Sequence, residues 1–231
     1  MSRFCKFVVG VFVAAGIALM PAAAHAEVMT FQGVGAASSI TVGGTNASNY
    51  HGGVTAGELL WQWVGTPPAG FAQSFYSYCV DLGNFVQSSQ TVTLVPSAGF
   101  TNGVTNGGAK AAWLFNEYAA GIHTLANSTT AAINAAALQI AIWEAMYDTN
   151  ANLTTGGFTA TSGNTLVTTQ ATTYLTALYS AQPWTSVATI LSTNGGQDQI
   201  VAKVSEPSTL LIIGLAFFGF AALARRPARQ A

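Results

Sequence analysis

Two apolar runs, residues 7–20 and 209–224, stand near opposite ends of this 231-residue chain and fix how much of it is left to fold. The first follows Arg3 and Lys6 and ends before Ala24-His25-Ala26. A positive start, a short apolar stretch and a small-x-small site read as an export signal cleaved before Glu27. The shortness of the run argues against a membrane-spanning helix there. The second run is followed by Arg225, Arg226 and Arg229. That is the pattern of a slightly short membrane helix with a basic cytoplasmic flank. The expected division is an export signal over 1–26, an extracellular domain over 27–203 and a C-terminal signal with its helix and basic tail over 204–231. Roughly 180 residues remain for the domain, enough for one hydrophobic core.

Removing the ends changes the electrostatics. The whole chain carries a formal charge of -1, yet Lys110 and Lys203 are the only basic residues between 27 and 203, against seven acids: Glu27, Glu58, Asp81, Glu117, Glu144, Asp148 and Asp198. An acidic domain repels nucleic acid and offers no phosphate-binding patch, so no nucleic-acid partner is expected. His51 and His123 stand apart without metal-ligand spacing, so neither a metal nor a cofactor is expected.

Strand-like segments come first: 28–34, 39–42, 58–64, 71–82 and 91–95, some of them separated by turns such as Gly65-Thr66-Pro67-Pro68. Residues 109–120 and 130–147 are Ala-rich with apolar positions at helical spacing, and 168–180 reads as a third helix. Residues 186–191 and 199–204 return to a strand-like pattern. Strands, then helices, then strands predict an α+β domain, a β-sandwich or barrel-like sheet with a helical insert, followed by a single C-terminal transmembrane helix.

Once the ends are processed, Cys79 is the only cysteine left, because Cys5 lies in the export signal. Exported cysteines normally pair, so a lone one asks for an explanation. A small buried apolar residue is the commonest, and the alternation of Tyr76, Tyr78 and Val80 around it suits a strand. A cysteine hydrolase would use His123 or His51 as base, without any local signature to support it. The remaining option is an internal acyl bond.

Both ends of the question meet known families. Glu206-Pro207-Ser208, followed by the apolar run and the basic tail, resembles the PEP-CTERM sorting signal of Gram-negative bacteria, with Ser205 where the motif usually begins with proline. That resemblance implies an exosortase-type processing enzyme as partner, an inner-membrane stage before processing, and a final place on the cell surface or in the extracellular matrix. Tyr78-Cys79-Val80-Asp81 and the later Leu138-Gln139-Ile140-Ala141-Ile142-Trp143 resemble the thioester domains of bacterial surface proteins. Ala112-Trp113-Leu114-Phe115 looks like that family's helical region, and Gly196-Gln197-Asp198-Gln199 adds a weaker similarity. The resemblance implies a cross-link between the Cys79 thiol and the Gln139 side-chain carbonyl.

The implied function is covalent attachment to a surface or matrix molecule bearing an amine or hydroxyl. The bond is used once, so a turnover enzyme and catalytic residues are not expected. Trp143, one helical turn after Gln139, reads either as a shield for the bond or as ordinary core. Asp81 and Glu144 read first as solvated carboxylates or caps and second as aids to proton transfer. Asp198 reads as structural, and a Lys-Asn isopeptide bond from Lys110 or Lys203 is a minor option. The alternative function is a non-covalent structural or exopolysaccharide-associated matrix protein with Cys79 simply buried.

Overall fold

The longest strand, β1 (Glu27–Gly43), runs straight through two breaks in its sequence alternation. Its register against β2 (Gly52–Trp63) shifts between Phe31 and Gly33 and again between Val34 and Ala37. These bulges are why 28–34 and 39–42 read as separate strands while the backbone continues. Near the second shift Gly57 adopts φ +147°, and a Cβ there would collide with the Ala36 carbonyl and Ala37. Only glycine fits that crossing.

A strand of this length reaches three neighbours. Residues 27–30 pair with β4 (Ser89–Pro96), 29–42 with β2, and 41–43 with β5 (Thr159–Thr161), a short strand with no sequence signal of its own. Adding β3 (Ser74–Cys79), β6 (Thr189–Thr193) and β7 (Gln199–Val201) gives the order β1-β2-β3-β7-β6-β4 and back to β1, antiparallel throughout. The sheet is therefore a closed six-stranded barrel, not a sandwich, with β5 attached at the far end of β1. Closure leaves the six strands without a free edge. This is a computed structural model, and it describes residues 26–46, 50–125 and 128–202. The expected export signal, the sorting signal and the C-terminal helix lie outside the described residues, apart from Ala26.

Three helices complete the α+β domain. Helices α1 (Gly107–His123) and α2 (Thr129–Tyr147) lie between β4 and β5, and α3 (Thr165–Ser180) between β5 and β6. Ser128 caps α2, its hydroxyl accepting from the Ala131 N–H at 3.1 Å. Every residue from 135 to 147 is buried, as expected of a helix that is apolar on all sides. The helix packs against α1, α3, β1, β2 and β3, and its run of alanines allows that close approach. At its end the Tyr147 hydroxyl accepts from the Leu82 N–H at 2.9 Å and from Asn102 at 3.3 Å. The chain leaving β3 is thereby tied to the end of α2, and the middle of α2 meets the last residue of β3.

Candidate functional site

Cys79 closes β3 and faces Gln199 of β7 across the ladder. It is a free thiol, 6% exposed. On its other side the side chain of Gln139, 1% exposed, takes the place of a missing strand. The Cys79 N–H donates to Gln139 Oε1 at 2.8 Å, and Gln139 Nε2 donates to the Cys79 carbonyl at 2.8 Å. A backbone N–H only donates and a carbonyl only accepts, so this pair also fixes which way the amide faces. A buried amide costs a few kcal/mol when unpaired, and here both the oxygen and the nitrogen have a partner.

The sulfur itself points elsewhere. Cys79 Sγ donates to Gln197 Oε1 at 2.7 Å, while Gln197 Nε2 donates to the Asp81 carbonyl at 3.1 Å. A second amide reaches the sulfur from β7: Gln199 Nε2 lies 3.6 Å from Sγ. Its orientation is set from behind. Trp61 Nε1 donates to Ser77 Oγ at 3.0 Å, and Ser77 Oγ donates to Gln199 Oε1 at 2.9 Å. Indole is a donor only, so the serine proton must go onward to Gln199 Oε1, and the amide N–H is left facing the sulfur. Trp61, Ser77 and Gln199 are completely buried. This relay was not legible in the sequence: Gln199 opens β7, but Gln197 lies in the turn before it, where no periodicity tells which way a side chain points.

Burial pushes the Cys79 thiol far above its ordinary range; the Gln199 amide opposes this and the nearby Asp81 adds to it. The resting group is the thiol, hydrogen-bonded as donor and acceptor, and not a free thiolate.

The reading of Asp81 and Glu144 as solvated carboxylates is corrected, because Asp81 is 6% exposed and Glu144 fully buried. Asp81 is a clamp. Its Oδ2 accepts from the Asp198 N–H at 2.7 Å and its Oδ1 from the Asn84 N–H at 3.1 Å, while Val80 N–H donates to the Asp198 carbonyl at 3.0 Å. Asp198 in turn accepts from the Thr193 N–H at 2.7 Å, the structural part expected of it. These bonds hold the turn that carries Gln197 and Gln199 against Cys79. Burial raises Asp81 to about 6 despite the backbone donors.

Glu144 sits five residues beyond Gln139, well around α2, and its charged neighbours are Asp148 and Lys110. Burial raises the group to about 9, Asp148 adds to the rise, and the Asn152 backbone and Lys110 oppose it. No described contact joins it to Cys79. Lys110 is buried as well, its amine 5.3 Å from the Tyr179 ring and 5.1 Å from the Trp184 ring. Trp143 is 2% exposed, with its indole N–H unpartnered, and lines a cleft together with Cys79 and Gln197. His123 stacks on Tyr76 at 4.1 Å and meets Glu58 at 3.4 Å, a placement tied to Glu58 and not to the thiol. Among the described residues no group of His, Cys, Asp and Glu is placed to hold a metal ion.

A family model described as the PEP-CTERM protein-sorting motif matches residues 203–226. The motif covers the tail that carries Glu206, Pro207 and Ser208 and marks an exported protein, membrane-anchored before exosortase processing. Among the described residues no helix is long and apolar enough to cross a membrane; the run at 209–224 lies outside them. No curated protein and no solved structure matches the chain.

Proposed function

We propose that this exported protein attaches covalently to a surface or matrix partner through a thioester between Cys79 and Gln139. The observation that carries the reading is the reciprocal pair of hydrogen bonds between the Gln139 amide and the backbone of Cys79. An amide held by both polar groups of one cysteine is pre-positioned beside that cysteine's own side chain. The Cys79 N–H on Oε1 polarises the carbonyl and stabilises the negative charge that develops there during attack.

The chemistry proceeds in two steps. Cys79 leaves its hydrogen bond to Gln197 by rotation about its Cα–Cβ bond, one staggered position to another. Its sulfur attacks the Gln139 side-chain carbon; a C–S bond forms, the C–N bond breaks, and the thiol proton leaves with the nitrogen as ammonia. A nucleophile on the partner later attacks the same carbon, breaks the C–S bond and returns the thiol, leaving the partner bound through Gln139. At the resting position the Gln199 amide donor favours negative charge on the sulfur, which primes it for attack.

Intact-mass measurement of the exported protein tests this. The expected mass is that of the processed chain less one ammonia, with the deficit abolished in Cys79→Ala and in Gln139→Ala. A full-mass protein whose thiol is free sinks the proposal. That result leaves the second reading, a non-covalent structural domain, which draws support from the complete hydrogen bonding of the buried thiol by Gln197 and Gln199.

A further inference from the structure

Cys79, Gln197 and Trp143 share a cleft of about 350 Å³ with apolar side chains from β1, β2 and the segment after β3. Phe85 in its wall is 68% exposed and Val34 46%, and Phe85 stands edge-on to Tyr50 at 5.5 Å. Among the described residues no Asp, Glu, Lys, Arg or His lines the cleft. Large apolar side chains left in water around a reactive atom mark a place where an apolar group is received.

Resting on the thioester reading above, we propose that this cleft admits a primary amine carried on an aromatic or branched aliphatic group, and that this amine, not a hydroxyl, opens the bond. Two arguments choose the amine. A hydroxyl requires a general base to become a nucleophile, and the lining supplies none; Asp81, whose charge acts on Cys79, is engaged by the N–H groups of Asp198 and Asn84. An ammonium entering an uncharged apolar cleft is driven to its neutral form by desolvation, and the neutral amine attacks unaided. The amine nitrogen bonds to the Gln139 carbon, the C–S bond breaks, and the sulfur takes the proton that the nitrogen loses. The products are a secondary amide and the Cys79 thiol.

The test has two arms on the exported protein. In the first, bond opening is followed by mass with 2-phenylethylamine, methylamine and 2-phenylethanol, the amines at equal free-base concentration. The phenyl group in the cleft is expected to accelerate opening about tenfold over methylamine, on the scale of burying one aromatic ring. The alcohol is expected to leave the bond intact. Phe85→Ser, an exposed position, is expected to bring the ratio of the phenylethylamine to the methylamine rate down to about one. In the second arm the thiol is alkylated with N-benzyl iodoacetamide or iodoacetamide, after methylamine opening or directly if it is already free. The benzyl reagent is expected to react faster in the wild type and to lose that advantage in Phe85→Ser. A benzyl preference without any mass deficit would overturn the thioester while keeping the cleft as an apolar site. Opening by the alcohol at a comparable rate overturns the choice of amine. Equal rates for aromatic and small reagents in both arms overturn the apolar specificity.

Discussion

Gln139 does two jobs that mutation can separate. It completes the hydrogen bonding of Cys79's backbone, and it is the proposed acyl group. Gln139→Leu leaves a buried N–H and a buried carbonyl unpaired, at about 1–3 kcal/mol each. The melting temperature should fall by several degrees in thermal unfolding, and the mass deficit should vanish. Cys79→Ser should also abolish the deficit while keeping those backbone bonds, so its melting temperature should sit above that of Gln139→Leu. A second residue-scale prediction concerns Glu144, held at about 9 when folded against about 4.3 in the unfolded chain. Between those pH values the folded protein keeps a proton the unfolded chain has lost, so stability falls as pH rises through that window. The melting temperature should drop from pH 5 to pH 8, and Glu144→Gln should flatten most of that drop. Asp81, raised to about 6, leaves a smaller decline at the acidic end. Cys79 and Gln139 were legible in sequence because each sits in a compact local pattern. The burial of Glu144 was not, since nothing local to it tells that α2 is enclosed, nor was that of Asp81, whose partner Asp198 lies 117 residues away.

At the scale of elements, the turn between β6 and β7 matters most, because it brings Gln197 and Gln199 to a cysteine about 120 residues earlier. Its hold is Asp81. Asp81→Ala removes the acceptor for two backbone N–H groups and should lower the fraction of protein with the mass deficit, although neither bonded residue has changed. Gln199→Leu keeps the volume and removes the amide donor, so the freed thiol should alkylate more slowly at a given pH. An unchanged pH profile would show that the relay from Trp61 through Ser77 is only packing. Helices α1 and α2 were readable because helical spacing and alanine content agree over many residues. The strand β1 was not readable as one piece, because its bulges reset the alternation that reveals a strand. Strand β5, three residues long, offers too short a pattern to detect.

On the scale of the molecule, a closed barrel holds β3 while an enclosed helix delivers Gln139 to its end. A bond between them closes a loop of about sixty residues, which in the chain-entropy account stabilises the fold by about 4 kcal/mol. Opening the bond with methylamine should therefore lower the melting temperature of the wild type by roughly 10 °C and leave Cys79→Ala unaffected. The PEP-CTERM motif at 203–226 marks an exported protein that exosortase processes, so such a bond would serve after export. The most direct measurement asks which amide carries the partner, a pointed question because the resting sulfur is hydrogen-bonded to Gln197. The exported protein is treated with isotopically labelled methylamine, digested and mapped by tandem mass spectrometry. The account predicts the label on the Gln139 side chain, with Cys79 becoming open to alkylation in equal amount. A label on Gln197 or Gln199, or no label at all, would contradict it.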